Sequence, residues 1–271
     1  MSESKLRFVT EPYHLGYIEN YVLHFREQGY VVLPDVFERE SVNEYLAQIQ
    51  AALVPGKSGR MELPPSPLRI APTRAPRIRQ VVKSAFSTGA MVPNVSLFEV
   101  AWAIAAAEAP GSIAGHWHKD RDHRCVSCAH GYCPGDIHVG MYFTDMTPAH
   151  GPTQVIARSH RDINRTPFGG CEPDSFLCRK QDAVMWDQRL WHRATPRTAE
   201  GHRVFGFFGF YPIPNCDTKA YPMDLSQRQA WLEAHDDVEA MLYGGLFAQR
   251  REVINRDYVV KGASSTANAT R

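Results

Sequence analysis

His118 and Asp120 stand two residues apart in Trp117-His118-Lys119-Asp120, and Trp191-His192 follows far downstream. In an extended strand residues i and i+2 point to the same side, so His118 and Asp120 can reach one metal ion from a single strand. With His192 from a distant strand, two imidazoles and a carboxylate would occupy one face of the ion. The open face suits Fe(II), a cosubstrate and O₂. Because a His-x-Asp spacing also arises by chance, the rest of the chain must support it.

Length and composition favour a soluble globular protein. The chain has 271 residues, 44% of them hydrophobic and 22% charged, a size that β-barrels and sandwiches often reach as single domains. A net charge of +1 gives no field that would recruit nucleic acid or an anionic membrane. No apolar run has the length of a membrane span, and no signal-peptide core is present. We expect a cytoplasmic monomer or homodimer that binds a small-molecule substrate, without nucleic acid or membrane partners.

Apolar periodicity predicts helices near both ends of the chain. Helices are expected over 17–28, 42–53 (capped by Ser41) and 78–86, with a strand over 30–33 and a long Pro- and Gly-rich loop over 54–76. Further helices are expected over 227–242 and 246–253, before a polar tail.

Short β-prone runs occupy the middle of the chain. They cover 95–107, 137–143, 153–157, 183–186 and the aromatic run 204–211, whose two glycines allow tight packing. Helices first, strands in the middle and helices last indicate a mainly β fold with flanking helices, either a barrel or a jelly roll.

Several stretches, taken in order, resemble the phytanoyl-CoA dioxygenase (PhyH-like) family of Fe(II)/2-oxoglutarate-dependent oxygenases. They are Phe25 to Phe37, Trp117 to Asp120, Tyr142 to His160, and Gln181 to Asp187 with Trp191-His192 and Arg203. The resemblance covers 16–212 and implies a double-stranded β-helix core of the jelly-roll or cupin-like type. We expect one oxygenase domain over 1–271, with a helical extension over 213–261 and a disordered tail over 262–271.

The sequence departs from the family pattern at two places. His150 stands where the family usually has Asn, and Ala157-Arg158 where it often has Pro-Gly. We expect these changes to alter loop packing and substrate fit rather than iron binding. Asp120 is retained, whereas halogenating relatives replace this carboxylate by a small residue, so the resemblance implies hydroxylase-type chemistry.

The resemblance also implies roles for single residues. His118, Asp120 and His192 would be both the catalytic centre and the Fe(II) ligands. Arg203 would bind the distal carboxylate of 2-oxoglutarate in a bidentate pair. The alternatives to Arg203 are Arg193, Arg197 and an ordinary surface ion pair.

Four further residues are candidates around the open metal face. Thr153 could donate its hydroxyl to 2-oxoglutarate, and Tyr142 and Trp186 could line the pocket. His116 could face the substrate or orient a metal ligand, since a fourth ligand there would close the open face. Simple packing in the core is the alternative for Thr153, Tyr142 and Trp186, and packing or solvent exposure is the alternative for His116.

A cluster of soft ligands follows the His-x-Asp stretch directly. Cys125, Cys128, His130 and Cys133 lie close together in sequence. Structural zinc usually takes two ligand pairs separated by a longer loop, so we favour a loop with free thiols beside the active-site mouth over a second metal such as zinc.

The function that these residues indicate is a non-haem Fe(II)/2-oxoglutarate-dependent dioxygenase. It would oxidise, most simply hydroxylate, a C–H bond of a small-molecule metabolite or natural product, and release succinate and CO₂. Its cofactors would be Fe(II), 2-oxoglutarate and O₂, with ascorbate as an aid in vitro. The alternatives are a zinc hydrolase with the same His/Asp/His set and a non-catalytic cupin-like binding protein.

Overall fold

The structure, a computed structural model, describes residues 6–52, 71–85, 93–101, 116–120, 137–199 and 204–212. These residues form helices, antiparallel strands and the segments that connect them. The helices are α1 (Leu15–Gln28), α2 (Arg39–Ala52) and α3 (Pro76–Ala85). The strands are β1 (Tyr30–Leu33), β2 (Pro93–Ala101), β3 (Ile137–Tyr142), β4 (Thr153–Val155), β5 (Asp174–Ser175), β6 (Ala183–Asp187), β7 (His192–Ala194) and β8 (Phe205–Pro212). Short 3-10 helices cover Ala71–Arg74 and Pro148–His150.

The strands form two sheets. The larger sheet has the order β1-β6-β3-β8-β2 and the smaller one β5-β4-β7. Their paired strands are antiparallel. Val155 of β4 and Trp186 of β6 belong to one buried cluster, so the two sheets pack face to face. This architecture confirms the predicted mainly β, jelly-roll-type core with flanking helices.

The larger sheet has two different faces, because successive side chains of a strand point to opposite sides. Val139, Met141 and Met185 pack in one buried cluster with residues of the three helices. Tyr142 and Trp186 belong to the second cluster, towards the smaller sheet. The helices therefore cover one face, and the other face lines the space between the sheets.

Helix α1 ends where a glycine is required. It buries Ile18, Val22 and Phe25, and the N–H of Gly29 donates to the Phe25 carbonyl at 2.7 Å. Gly29 has a φ of 87°, a left-handed conformation that glycine adopts readily at the end of a helix. A β-carbon at this position would also lie 2.5 Å from Nδ1 of His160. The predicted end of this helix is confirmed.

Two predicted boundaries are wrong. Helix α2 begins at Arg39, so Ser41 lies inside its first turn and does not cap it. The buried Ser41 hydroxyl instead donates to the Glu38 carbonyl at 2.8 Å and accepts the Arg7 N–H at 3.0 Å. This contact joins two parts of the chain that are distant in sequence, which local spacing does not reveal. The predicted loop over 54–76 also ends early, because Ala71–Arg74 is helical.

Several predictions concern residues outside the described ranges. They are the part of the 95–107 run after Ala101, the helices over 227–242 and 246–253, and the tail from 262. Within the described ranges, no helix is both long and apolar enough to cross a bilayer.

Arg158 adopts a left-handed backbone conformation, with φ at 68°. A non-glycine residue in this conformation costs roughly 1–2 kcal/mol. Replacement by glycine removes this cost, but glycine also makes the unfolded chain more flexible, which offsets part of the gain in stability. We expect Arg158→Gly to raise the free energy of unfolding by up to about 1 kcal/mol, which is a rise of about 2–4 °C in Tm by calorimetry. Arg161→Gly, at a position whose φ is not positive, is the matched control and should lower Tm. Equal effects of the two changes would contradict the argument.

Candidate metal centre

Three side chains converge between the two sheets, and we call His118, Asp120 and His192 the triad. One nitrogen or oxygen from each lies within 4.8 Å of the others. Asp120 Oδ1 is 3.7 Å from His118 Nε2, and Asp120 Oδ2 is 3.4 Å from His192 Nε2. The side chain of His118 is 52% exposed and that of His192 only 9%, so the triad opens to solvent on one side.

Backbone pairing brings the two stretches of the triad together. His118 and His192 form an antiparallel bridge in which each N–H donates to the other carbonyl, at 3.0 and 2.9 Å. The Asp120 N–H donates to the Gln188 carbonyl at 3.1 Å. The stretch was predicted to be a strand, but it forms only a single bridge, between His118 and His192 of β7. The two side chains nevertheless reach the same point, as their spacing predicts.

Both triad imidazoles are oriented through Nδ1. His118 Nδ1 lies 2.9 Å from the His116 carbonyl, and His192 Nδ1 lies 3.0 Å from the Leu190 carbonyl. Because a carbonyl oxygen only accepts, Nδ1 of each ring is the donor, and Nε2 is the nitrogen that faces Asp120. Burial lowers the pKa of His192, which favours the neutral ring. The triad therefore turns both Nε2 atoms towards the same carboxylate.

Asp120 is held by a third histidine, His138 of β3. His138 Nδ1 lies 3.3 Å from Asp120 Oδ2, the same oxygen that faces His192. Burial opposes ionisation of Asp120, but the hydrogen bond from His138 and the neighbouring imidazoles lower its pKa to about 2. Asp120 is thus a carboxylate at neutral pH, with one oxygen fixed from the larger sheet.

The ring of His138 is itself confined. Its centre lies 5.2 Å from that of Trp186 and 5.0 Å from that of Phe207. Sequence reasoning missed this residue. The only local signal is a histidine in the otherwise apolar and glycine-containing strand Ile137–Tyr142, opposite Trp186 in register.

A buried ion pair shapes the turn that leads to His192. The Asp187 carboxylate accepts hydrogen bonds from Arg189 Nε at 2.8 Å and Arg189 Nη2 at 2.6 Å. Burial would raise the pKa of Asp187, but these bonds lower it. Ser159 Oγ accepts the Trp191 N–H at 2.9 Å. Arg189 therefore stabilises the turn, and its charge is not available to a substrate.

Residues adjacent to the triad in sequence face the other side of the smaller sheet. The Arg193 guanidinium lies 4.5 Å from the centre of the Trp117 ring, and its Nε and Nη2 donate to Gln154 Oε1 at 2.9 and 2.8 Å. Lys119 Nζ lies 5.4 Å from the centre of the Trp191 ring. Arg193, one of the alternatives for 2-oxoglutarate binding, is therefore engaged away from the triad.

The structure also places the other candidates from the sequence. Tyr142 Oη and Thr153 Oγ1 are hydrogen-bonded at 2.6 Å. Trp186 is 4% exposed, and its ring centre lies 6.4 Å from that of His192. His116 contributes its carbonyl to His118 and leaves its side chain exposed. Arg203 and the loop with Cys125, Cys128, His130 and Cys133 lie outside the described residues.

Sequence comparison finds one family. The family model for phytanoyl-CoA dioxygenase (PhyH) matches residues 57–205. No curated protein sequence matches the chain.

Solved structures share the fold. The non-heme alpha-ketoglutarate-dependent epimerase SnoN from nogalamycin biosynthesis is 18% identical with a TM-score of 0.54, over 73% of this chain and 83% of SnoN. Apo HygX from Streptomyces hygroscopicus is 18% identical with a TM-score of 0.55, over 71% of this chain and 85% of HygX. SnoN has also been solved with Fe³⁺, alpha-ketoglutarate and nogalamycin RO, and HygX with nickel, 2-oxoglutarate and hygromycin B.

Proposed function

The chain belongs to the phytanoyl-CoA dioxygenase family of Fe(II)/2-oxoglutarate-dependent oxygenases, and from this premise we propose that it hydroxylates a C–H bond of a small-molecule metabolite or natural product. Succinate and CO₂ are the proposed coproducts. The proposal rests mainly on the triad, whose donor atoms lie within 4.8 Å of one another although they come from segments distant in sequence.

The donor set fits Fe(II). Two neutral imidazole nitrogens and one carboxylate are the ligands of the facial arrangement used by non-haem Fe(II) oxygenases, which leaves coordination positions open. His118 and His192 would bind the metal through Nε2, and Asp120 through a carboxylate oxygen. When bound, the iron supplies the O₂ chemistry, with 2-oxoglutarate as the cosubstrate that is oxidised to succinate.

The protein's own residues orient these donors and place apolar side chains beside them. His138 fixes Asp120, and the His116 and Leu190 carbonyls fix the two triad rings. A buried cluster that includes Phe176 and Trp186, with Phe205 and Phe207 packed against it, forms an apolar wall beside His192. An apolar wall of this kind strengthens polar contacts inside the site.

Thr153 remains our candidate for a hydroxyl contact to 2-oxoglutarate. Thr153 Oγ1 is hydrogen-bonded to Tyr142 Oη, and either oxygen can be the donor. When Tyr142 donates, the Thr153 hydroxyl keeps its own proton for an acceptor on a bound molecule. The pair is thus suited to bind a carboxylate oxygen.

Arg203 is our proposed partner for the distal carboxylate of 2-oxoglutarate, since in sequence it lies two residues before β8 begins at Phe205. A charged hydrogen-bonded pair contributes about 1.5–3 kcal/mol, so Arg203→Gln should weaken 2-oxoglutarate binding roughly 10- to 100-fold. Arg193→Gln is the matched control, because Arg193 is bound to Gln154 on the outer face. Anaerobic titration of the Fe(II)-loaded protein would measure both dissociation constants. Equal losses in the two variants would count against Arg203.

The substrate class is supported by two facts about the fold's relatives. SnoN is an enzyme of nogalamycin biosynthesis, and HygX has been crystallised with hygromycin B. A triad that opens to solvent through the exposed side of His118 also suits a substrate that enters from outside. We therefore propose a small-molecule natural product or metabolite of this general kind as the substrate.

The experiment for the proposed function uses the purified protein. Anaerobic addition of Fe(II) and 2-oxoglutarate should produce a weak visible charge-transfer band, and admission of air should produce succinate. A screen of natural products and metabolites for stimulated succinate formation would then identify the substrate. Absence of both the band and succinate would reject the proposal, and hydrolysis of an ester or amide with bound zinc would support the hydrolase instead.

A further inference from the structure

Within the ranges that the structure describes, the buried N–H group of Trp186 has no acceptor. The residue is 4% exposed, and no described group accepts a hydrogen bond from its Nε1. Buried polar groups in native proteins are nearly always paired, and a buried tryptophan usually finds a partner for its N–H. An unpaired donor at this depth therefore calls for a specific explanation.

The position of the ring is tightly determined. Its centre lies 5.8 Å from that of Phe176, in addition to the contacts with His138 and His192 described above. A β-carbon at Gly140 would lie 2.8 Å from Trp186 Cζ3, so the backbone of β3 packs directly against that edge. Cζ3 and Nε1 lie on opposite edges of an indole. The N–H edge consequently faces away from β3, and the ring cannot turn to find another partner without displacing its neighbours.

The surroundings do not require a tryptophan for packing alone. The same cluster includes Phe176 and has Phe205 and Phe207 packed against it. A phenylalanine at 186 would fill much of the same space without burying an unpaired donor. The indole nitrogen is thus the property that distinguishes this residue from the aromatic wall around it.

The acceptor that best fits is a carboxylate oxygen of a molecule bound at the triad. An anionic oxygen accepts the strongest hydrogen bonds, and a wall of low polarity strengthens them further. The position of Trp186 favours the cosubstrate over the substrate. Trp186 lies deep in the cluster that also contains Tyr142, whereas a substrate enters from the exposed side of His118.

We propose that Nε1–H of Trp186 donates a hydrogen bond to a carboxylate oxygen of 2-oxoglutarate bound at the triad, an inference that rests on the proposed function. Trp186 is then a binding residue for the cosubstrate, in addition to Thr153 and Arg203. The N–H that has no acceptor among the described residues becomes paired when 2-oxoglutarate binds.

The test is Trp186→Phe, which keeps an aromatic ring and removes the donor. Fe(II)-loaded protein is titrated anaerobically with 2-oxoglutarate while the visible charge-transfer band is followed. We expect the dissociation constant for 2-oxoglutarate to rise about tenfold, equivalent to about 1.4 kcal/mol. The dissociation constant for the metal, measured separately by titration with Fe(II) or Ni(II), should stay within twofold. The Tm of the metal-free protein should fall little, because the change also removes an unpaired buried donor.

Phe176→Leu is the matched control, since it disturbs the packing of the same ring and leaves the donor in place. Its dissociation constant for 2-oxoglutarate should stay within about threefold of that of the natural protein, even where its Tm falls. If Trp186→Phe binds 2-oxoglutarate as tightly as the natural protein, the inference is overturned and the proposed function stands. If the natural protein itself gives no band, the proposed function fails and this inference fails with it.

Discussion

Asp120→Ala is expected to reduce 2-oxoglutarate-dependent succinate formation by at least about 1,000-fold, which corresponds to about 4 kcal/mol. The change removes the only carboxylate of the triad and leaves His118 and His192 as the remaining donors. Fe(II) or Ni(II) binding, measured by calorimetric titration, should weaken strongly in parallel. The metal-free fold should persist, because the backbone bridge between His118 and His192 does not involve the Asp120 side chain.

The control for this variant is Asp162→Ala. Asp162 is an exposed carboxylate whose Oδ1 accepts the Asn164 N–H at 2.9 Å, away from the triad. It should retain normal metal binding and activity. Full succinate formation by Asp120→Ala would rule out a ligand role for Asp120, and loss of the folded circular dichroism spectrum would show that its role is structural.

His138→Leu is expected to weaken metal binding by about 10- to 100-fold, the usual effect of removing a group that orients a metal ligand. His138 is 7% exposed, and its Nδ1 lies 3.3 Å from Asp120 Oδ2. Without this donor the carboxylate loses its fixed orientation, although all three triad residues remain. The measurement is the dissociation constant for Ni(II) or Fe(II), together with the rate of succinate formation at saturating metal.

Two conservative variants separate the hydrogen bond from packing. The amide nitrogen of Asn can occupy the place of Nδ1 in a histidine, whereas that of Gln corresponds to Nε2. His138→Asn should therefore recover part of the metal affinity, and His138→Gln should recover less. If the Leu, Asn and Gln variants all bind metal equally well, His138 does not position Asp120.

The triad was predictable because its signal is local and chemical. Alternation along an extended chain places His118 and Asp120 on the same side, whatever the surrounding fold. The distant partner His192 was identified through a resemblance of ordered motifs. His138 gave no comparable signal, because its role depends on the register between β3 and β6 and on the approach of Asp120 from another segment.

The fold shows the same difference between features that have a local signal in the sequence and features that depend on contacts between distant segments. Periodic spacing predicted α1 and α3 well, since the apolar stripe of an amphipathic helix is visible within one segment. The start of α2 was not predictable in this way, because Ser41 is bound to Arg7 from the N-terminal segment. Likewise, the outer-face role of Arg193 depends on Gln154 and Trp117, which only the assembled sheet brings to it.

Alternation along β3 and β6 has a consequence for how such an enzyme can acquire new substrates. Val139 and Met185 serve the helix-covered core, while Tyr142 and Trp186 line the space around the triad. Neighbouring positions on the same strand therefore contribute to different properties, one to the stability of the core and the other to the chemistry of the site. Diversity introduced at the inward-facing positions alone can change what the enzyme accepts while the scaffold is inherited intact.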